Sequence, residues 1–443
     1  MNKYFYVFCL LVFTLNSKAQ EGPISLSLDK AIELALENSY NTRAAVNDIA
    51  SAEKKVWETT TIGLPQINGA IDYQNFLKQP ITVADINGDG VDEEFVFGTK
   101  QNVNASVTLS QLLFDGTYLV GLQSAKTFLK ISEQAKEKTE LVTREAVINA
   151  YGNVLISENS ISILKNNIKI LQKNYDDAKK IYANGLNEEE DVEQLEITLG
   201  DVKNQLSSVL RLNEIAYQML NLSLGNSIDT ELVLTDTLDS LTEENISINL
   251  VGETFLIENH IDYRIAENDR EAKRLMMKLE QSKNLPSLSA FVNYGTQAFS
   301  NEFSFFRGSQ RWFQSSLLGV SLKVPIFSSF GRSSKIAQAE IALNTADLRL
   351  EETKQRLELQ AKKAKSDYQL SIESYQTAKK NLGLAERIEK KQRIKFFEGI
   401  SSSFNLLQAQ TQLYTQQQNY IQSMLNVITN KAALENALNI PIK

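Results

Sequence analysis

The chain is poor in the residues that most site chemistry needs. Its 443 residues include one histidine, His260, and one cysteine, Cys9. No histidine triad, Cys/His zinc cluster or disulfide framework can be built from that inventory. Proline and glycine are scarce as well, at 6 and 19 residues, or about 1.4% and 4.3% against usual shares near 5% and 7%. That scarcity argues against turn-rich sandwiches and many-bladed propellers. A Gly-rich phosphate loop, a G-x-S-x-G elbow and an H-E-x-x-H pair are all missing. A formal net charge of −8 argues against nucleic acid as a partner. No segment reaches the apolar run of about 20 residues that a membrane-spanning helix requires.

What is present begins with an address. Lys3 is followed by an apolar run from Tyr4 to Leu15, and Ser17 and Ala19 stand at −3 and −1 before Gln20. This predicts a secretory signal over residues 1–19, cut after Ala19. Cys9 sits inside the run without the small-residue context of a lipidation site, so no lipid anchor is expected. The exported chain would then hold no cysteine and rely on neither disulfides nor thiol chemistry.

Long proline-free stretches carry helical periodicity. Ile161, Leu164, Ile168, Leu171, Tyr175, Ala178 and Tyr182 alternate at 3 and 4 residues, as do Val192, Leu195, Leu199, Val202, Leu206 and Val209. Leu406, Leu413, Tyr420, Val427 and Leu434 recur every seven, and so do Leu343, Leu350, Leu357 and Ala364. Heptads sustained this far predict coiled-coil packing. A helix from about Gly116 to Asn184 would run roughly 100 Å at 1.5 Å per residue.

Two short regions switch to period two. Ile67, Gly69, Ile71 and Tyr73 follow Leu64-Pro65, and Val103, Ala105, Val107 and Leu109 alternate with Asn, Ser and Thr. Leu288, Ala290, Val292 and Tyr294 follow Leu285-Pro286, then Leu318, Val320, Leu322 and Val324 alternate with Gly319, Ser321 and Lys323. The spans, about 66–78, 97–113, 287–299 and 313–326, suit tilted membrane strands of about 9–11 residues. Aromatics crowd their ends, including Phe76, Phe97, Phe299, Phe303, Trp312 and Phe313, as interfacial girdles do.

The unit is doubled. Leu64-Pro65 and Leu285-Pro286 lie 221 residues apart, as do Glu37-Asn38 and Glu258-Asn259. Gly185-Leu186 and Gly399-Ile400 lie 214 apart, and Leu109 and Leu322 lie 213 apart. The first strand hairpin is therefore longer than the second, with its surplus near Asp85–Glu93. Each repeat supplies two strands, and four strands cannot close a barrel in lipid, where open edges leave backbone groups unsatisfied. Three chains give twelve strands, and cyclic symmetry closes the ring.

The doubled unit, the Leu-Pro lead-in to each outer strand and the Gly-Leu tip before a heptad helix resemble the TolC-like outer-membrane efflux family over nearly all of residues 26–440. That resemblance implies a mixed, mainly α fold in which long helical hairpins form a periplasmic tunnel. Four antiparallel strands per chain would join a trimeric twelve-stranded outer-membrane barrel. It implies a passive, non-enzymatic exit duct for efflux or secretion, and a homotrimer in outer-membrane lipid. Its implied partners are a periplasmic adaptor protein and an inner-membrane pump, with no required cofactor. The expected organisation is a signal at 1–19, a first repeat at 20–224, a mixed equatorial segment at 225–250 and a second repeat at 251–443.

In such a family the turns at Gly185 and Gly399 form the periplasmic tip and gate, with Leu186 and Ile400 beside them. The family's acidic gate position, six after the glycine, is held by Asp191 in the first repeat and Asn405 in the second. Gln408 replaces a second acid, and Ser401 replaces a basic residue, so the usual tip salt bridge and double acidic ring are not expected. The run Glu188-Glu189-Glu190-Asp191 would place about a dozen carboxylates at a trimer's mouth, a cation-favouring arrangement. The same run suits helix capping, with Asn187 as N-cap and Glu190 three residues on.

The loop Asp85–Glu93 has oxygen donors Asp85, Asn87, Asp89 and Glu93 at positions 1, 3, 5 and 9, with Gly90 at 6. That spacing suits a hard cation such as Ca2+, although Val96 stands where an EF-hand has its bidentate acid. A solvated acidic turn accounts for it equally. His260, without a partner in the sequence, is expected at the surface with no role.

An exported coiled-coil stalk or adhesin without a pore is the competing reading. The paired amphipathic strands, one hairpin per repeat, speak against it. An exported hydrolase needs a convergent nucleophile and base, which the sequence does not assemble. The heptad assignment predicts that Leu206→Asp and Leu413→Asp, each burying an unpaired charge, lower oligomer yield and melting temperature. Unchanged yield and melting in both variants would refute it.

Overall fold

The computed structural model describes residues 24–440 apart from Ile86, Asn87, Asp89, Val91, Asn187, Ile248, Asn249, Val251, Glu253 and Thr254. The expected export signal lies outside the described residues. In chain order the elements are β1 (Ile24–Leu26), α1 (Leu28–Asn38), α2 (Tyr40–Thr61), β2 (Gln66–Asn75), β3 (Ile81–Ala84), β4 (Glu93–Val96) and β5 (Gln101–Asp115). The first repeat ends with α3 (Gly116–Ala183) and α4 (Glu189–Leu224). Then come β6 (Leu232–Leu234), α5 (Leu238–Glu244), a 3-10 turn at Ile257–Asn259 and α6 (Ile261–Ser282). The chain closes with β7 (Ser287–Ser300), β8 (Trp312–Lys323), α7 (Gly331–Phe397) and α8 (Ser403–Ala437). Among the described residues, no helix is long and apolar enough to cross a membrane.

Two units divide these elements. One comprises Asp48–Glu133 and Ile265–Glu352, the other the residues up to Asn47, Gln134–Arg264 and Thr353–Lys443. The first unit is built on one antiparallel sheet of order β2-β5-β7-β8. Its register puts Ile67, Leu109, Val292 and Leu318 in one row. Gly69, Val107, Tyr294 and Ser316 form the next row. Because side chains alternate across a strand, the rows between belong to the opposite face. On β2, β5 and β7 these hold Asn68, Thr108 and Asn293, then Asp72, Asn104 and Gln297, while β8 adds Leu317 and Phe313 to the same rows. Asn293 Nδ2 donates to Thr108 Oγ1 across that polar face at 2.7 Å. The apolar face is uncovered: Ile67, Ile71, Leu318 and Val320 are each about two-thirds exposed or more.

The strands are shorter or shifted relative to the sequence pattern, for local reasons. β5 starts at Gln101 rather than about 97 because Gly98 turns the chain with φ +92°. β8 ends at Lys323, before Pro325, which has no N–H to give a ladder. The surplus of the first hairpin holds a two-stranded ladder of its own, with Ala84 opposite Glu93 and Ile81 opposite Val96. Period two did not announce it in so short a stretch.

The second unit has a helical core. β1 pairs in parallel with β6, so the chain's first described residues are tied to the 225–250 segment. Tyr151, fully buried in α3, donates to Leu26 O at 3.0 Å and to Asp236 Oδ2 at 2.9 Å. Leu28 N–H donates to the same carboxylate at 2.7 Å. Leu220, Leu224, Leu238, Val427 and Leu434 pack around this knot. Its contacts close α4 and α8 against α3 without any one long apolar run.

His260 corrects the expectation of a surface residue. It is 4% exposed, and its Nδ1 accepts from Asp262 N–H at 3.1 Å at the start of α6. Its counterpart Ser39 does the same work for α2, with Oγ accepting from Thr42 N–H at 3.3 Å. Both are N-caps satisfying an otherwise unpaired first-turn donor. Burial holds the imidazole below its usual pKa, against the nearby Asp262 carboxylate, so the neutral ring is the cap.

Three helices end on a glycine in the left-handed region, and their surroundings differ. Gly225 has φ +78° and an added Cβ would lie 2.2 Å from Asn38 O, whereas Gly185, at φ +74°, has open space around it. Gly225→Ala is therefore expected to cost the conformational strain plus a backbone clash, about 1–3 kcal/mol or more. Gly185→Ala should cost only about 1 kcal/mol. Equal melting losses for the two variants in thermal denaturation would contradict this ordering.

Candidate functional site

The helical hairpins supply the one region where both repeats bring the predicted tip residues to the same end of a unit. α3 ends in a paired turn, with Gly185 N–H donating to Tyr182 O at 2.8 Å and Leu186 N–H to Ile181 O at 3.2 Å. α7 ends identically in pattern, with Gly399 N–H to Phe396 O at 3.0 Å and Ile400 N–H to Lys395 O at 2.8 Å. This double bond pattern with glycine at the left-handed position satisfies the last carbonyls of each helix. Beneath the turns, Ala178 of α3, Val192 and Leu195 of α4, Phe396 of α7 and Leu406 of α8 form one buried cluster. Phe396 and Phe397 meet edge to face at 5.1 Å. The two tips are thus packed together, while Leu186 and Ile400 project at 79% and 70% exposure.

The acidic run lies at the start of α4. Glu188, Glu189 and Glu190 are exposed and Asp191 is half-buried. The N-cap is Glu188, not Asn187, and its side chain makes no capping bond; Asn187 itself lies outside the described residues. The expected capping box is therefore replaced by charge alone. Glu189, Glu190 and Asp191 occupy the first turn, where carboxylates interact favourably with the helix dipole. In the second tip Asn405 and Gln408 are exposed, and Asn405 Nδ2 reaches Ser401 Oγ at 3.2 Å. A side-chain bond from this tip to the acidic run is not among those described.

Polar residues set into the packing just behind the tip were not singled out from the sequence. Glu389 of α7 is 6% exposed, with Arg393 3.7 Å away. Burial pushes its carboxyl pKa up, and Arg393 offsets that only in part. Burial and the neighbouring Glu389 also raise the Tyr414 phenol. Gln410 is 1% exposed, and its amide has no partner among the described residues. The signal for them was present: an acid and an amide standing where a heptad helix turns inward.

Of the candidate cation ligands, Asn87 and Asp89 lie outside the described residues. Asp85 accepts from Gly88 N–H at 2.7 Å and from Gly90 N–H at 2.9 Å, so its carboxylate shapes the turn. Glu93 opens β4. Among the described residues no three His, Cys, Asp or Glu side chains are grouped as metal ligands.

Comparison with known proteins is consistent across sequence and fold. The profile of the outer membrane efflux protein family matches residues 31–226 and 256–439. The antibiotic efflux pump outer membrane protein ArpC of Pseudomonas putida is 22% identical over 422 residues, 93% of this chain and 82% of its own. The outer membrane protein VceC of Vibrio cholerae superposes with a TM-score of 0.71 at 16% identity, covering 93% of this chain and 95% of its own. The open-state MtrE outer membrane channel of Neisseria gonorrhoeae gives 0.70 at 18%, covering 93% and 88%.

The raised Glu389 pKa makes a signed prediction. A carboxyl whose folded pKa lies above its unfolded value stabilises the fold at low pH and loses that contribution as pH rises through the folded pKa. Glu389→Gln removes the penalty of ionisation. Its melting temperature relative to the parent should therefore be higher at pH 7.5 than at pH 4.5. A difference that does not change between the two would show that Glu389 does not titrate under this constraint.

Proposed function

Because the chain belongs to the outer membrane efflux protein family, we propose that three copies form the passive exit duct of a tripartite export assembly. The four strands of each chain would contribute to a twelve-stranded barrel in the outer membrane, and the helical hairpins to a tunnel in the periplasm. The observation that carries this reading is the sheet itself. It has one uncovered apolar face and an opposite face that is largely polar on β2, β5 and β7, and its outer strands β2 and β8 each have a free edge. In hydrocarbon, free edges cost several kcal/mol for each unsatisfied backbone group. A second copy docking β8 against β2 pairs one edge of each chain, and only a closed ring removes them all.

The helical unit supports the same reading. α4 leaves Leu212, Ile215, Met219 and Leu222 exposed at 50–59%, spaced 3, 4 and 3 residues apart. That stripe is the kind of seam a coiled-coil neighbour covers. The tips, with exposed Leu186 and Ile400 and the acidic run Glu188–Asp191, form the mouth in this reading. They meet a periplasmic adaptor, and their carboxylates favour cations. The pump chooses the cargo and supplies the energy.

The test is the particle mass of the full protein extracted from outer membranes in mild detergent, with bound detergent subtracted. A three-chain particle is expected. A stable monomer would leave both sheet edges open and overturn the duct in favour of an exported stalk.

A further inference from the structure

One helix face stands apart from the rest of the helical unit. From Gly399 to Asn430 the chain has no Asp, Glu, Lys, Arg or His. At the chain's charged share of 23%, close to that of ordinary proteins, such a stretch would carry about seven charges. α8 turns Leu406, Ala409, Leu413, Ile421, Met424 and Val427 inward. Outward it shows Asn405, Gln408, Gln412, Thr415, Asn419, Gln422 and Asn426, all exposed. These alternate strictly at 3 and 4 residues, and every one but Thr415 is a primary amide. Thr411 and Gln418 beside them are neutral too.

The counterpart helix of the first repeat is different. α4 exposes Glu193, Glu196, Asp201, Lys203, Arg211 and Glu214, together with its apolar stripe. Apart from Phe404 in its first turn, 64% exposed, the exposed face of α8 up to Asn430 has neither the charges of a helix facing bulk solvent nor the apolar side chains that drive a subunit seam. It offers water hydrogen-bond donors and acceptors in a continuous line without a fixed charge of either sign. In a pore, rings of charged side chains set ion selectivity, and a wall of amides sets none.

We propose that the amide face of α8 lines the bore of the duct and keeps that wall electrically neutral, so that cations, anions and uncharged amphiphiles pass it alike. The inference rests on the trimeric-duct reading. The acidic tip at Glu188–Asp191 then discriminates by charge at the mouth, and the strip of wall that α8 supplies behind it adds no sorting of its own.

The experiment uses the full protein in planar bilayers under a KCl gradient. Gln412→Lys and Gln422→Lys would each place a ring of ammonium groups in the bore. Trimers should form normally, and the chloride-to-potassium permeability ratio should rise at least about threefold over the parent. Gln422→Cys, in a chain whose only other cysteine is Cys9, should give the same direction of shift on reaction with a cationic methanethiosulfonate. Intact lysine trimers with an unchanged ratio, and a Gln422→Cys current indifferent to the reagent, would put the face outside the bore and overturn the proposal. Loss of trimers in both lysine variants, with the introduced thiol unreactive in a parent-like trimer, would make it a subunit seam and overturn it as well. A parent protein that forms trimers without any current fails the duct reading first, before the variants are compared.

Discussion

A strand surrounded by hydrocarbon must pair both of its edges, and the rest of this chain follows from the fact that, among the described residues, its large sheet has only four strands. Each repeat provides one hairpin. The two hairpins join through β5 and β7 into a single sheet, whose register keeps Ile67, Leu109, Val292 and Leu318 on one side. This doubles the ladder but leaves an edge at β2 and another at β8. The backbone groups on those edges have no water to turn to in a bilayer. In the proposed duct, association pairs those edges, in keeping with the apolar surface left uncovered in one copy.

The helices meet a looser constraint and use their surface differently. Water can satisfy whatever they leave unpaired, so each face is free to be specialised. α3 contributes the buried Tyr151 and Leu171, and α4 shows an apolar stripe toward its C-terminal end. α7 carries charge along most of its length, and α8 carries none for its first six turns and more. Packing density is maintained on the inward seams, where Gly152 lets Leu425 approach so closely that an added Cβ would lie 2.3 Å from its methyl group. The outward faces are left free to differ.

Much of this was legible because the constraints are periodic. Alternation at Ile67–Tyr73 and Leu318–Val324 marks strands that have one wet and one apolar side. The heptads of Leu406 and its successors mark a helix packed along its length. The repeat offset of 221 narrowing to 213 located the longer first hairpin. Most of the misses have a common cause: they depend on single side chains whose neighbours are distant in sequence. His260 reads as an exposed polar residue until its position as an N-cap is known. Glu389 and Gln410 read as ordinary polar residues on long helices until the packing behind the tip turns them inward. The β3–β4 ladder is too short for its alternation to stand out from a loop.

The two repeats also separate what packing demands from what it leaves free. Leu64-Pro65 and Leu285-Pro286 are kept because each must end a helix and start a strand. Gly185 and Gly399 are kept, at φ +74° and +73°, because each helix ends in the same paired turn. Ser39 and His260 differ in chemistry yet both cap the following helix, so the donor's need is retained and the acceptor is interchangeable. The residues that share no such need diverge: Glu188–Asp191 beyond the first tip glycine, and Ser401–Asn405 beyond the second. Six nearly equivalent hairpins around a ring would repeat one charge pattern six times. With the repeats diverged, the proposed trimer would alternate three tips rich in acids with three where Glu398 is the acid beside the glycine. In that reading the mouth carries most of its negative charge at alternate tips, while α8, uncharged up to Asn430, adds a neutral strip to the wall behind it.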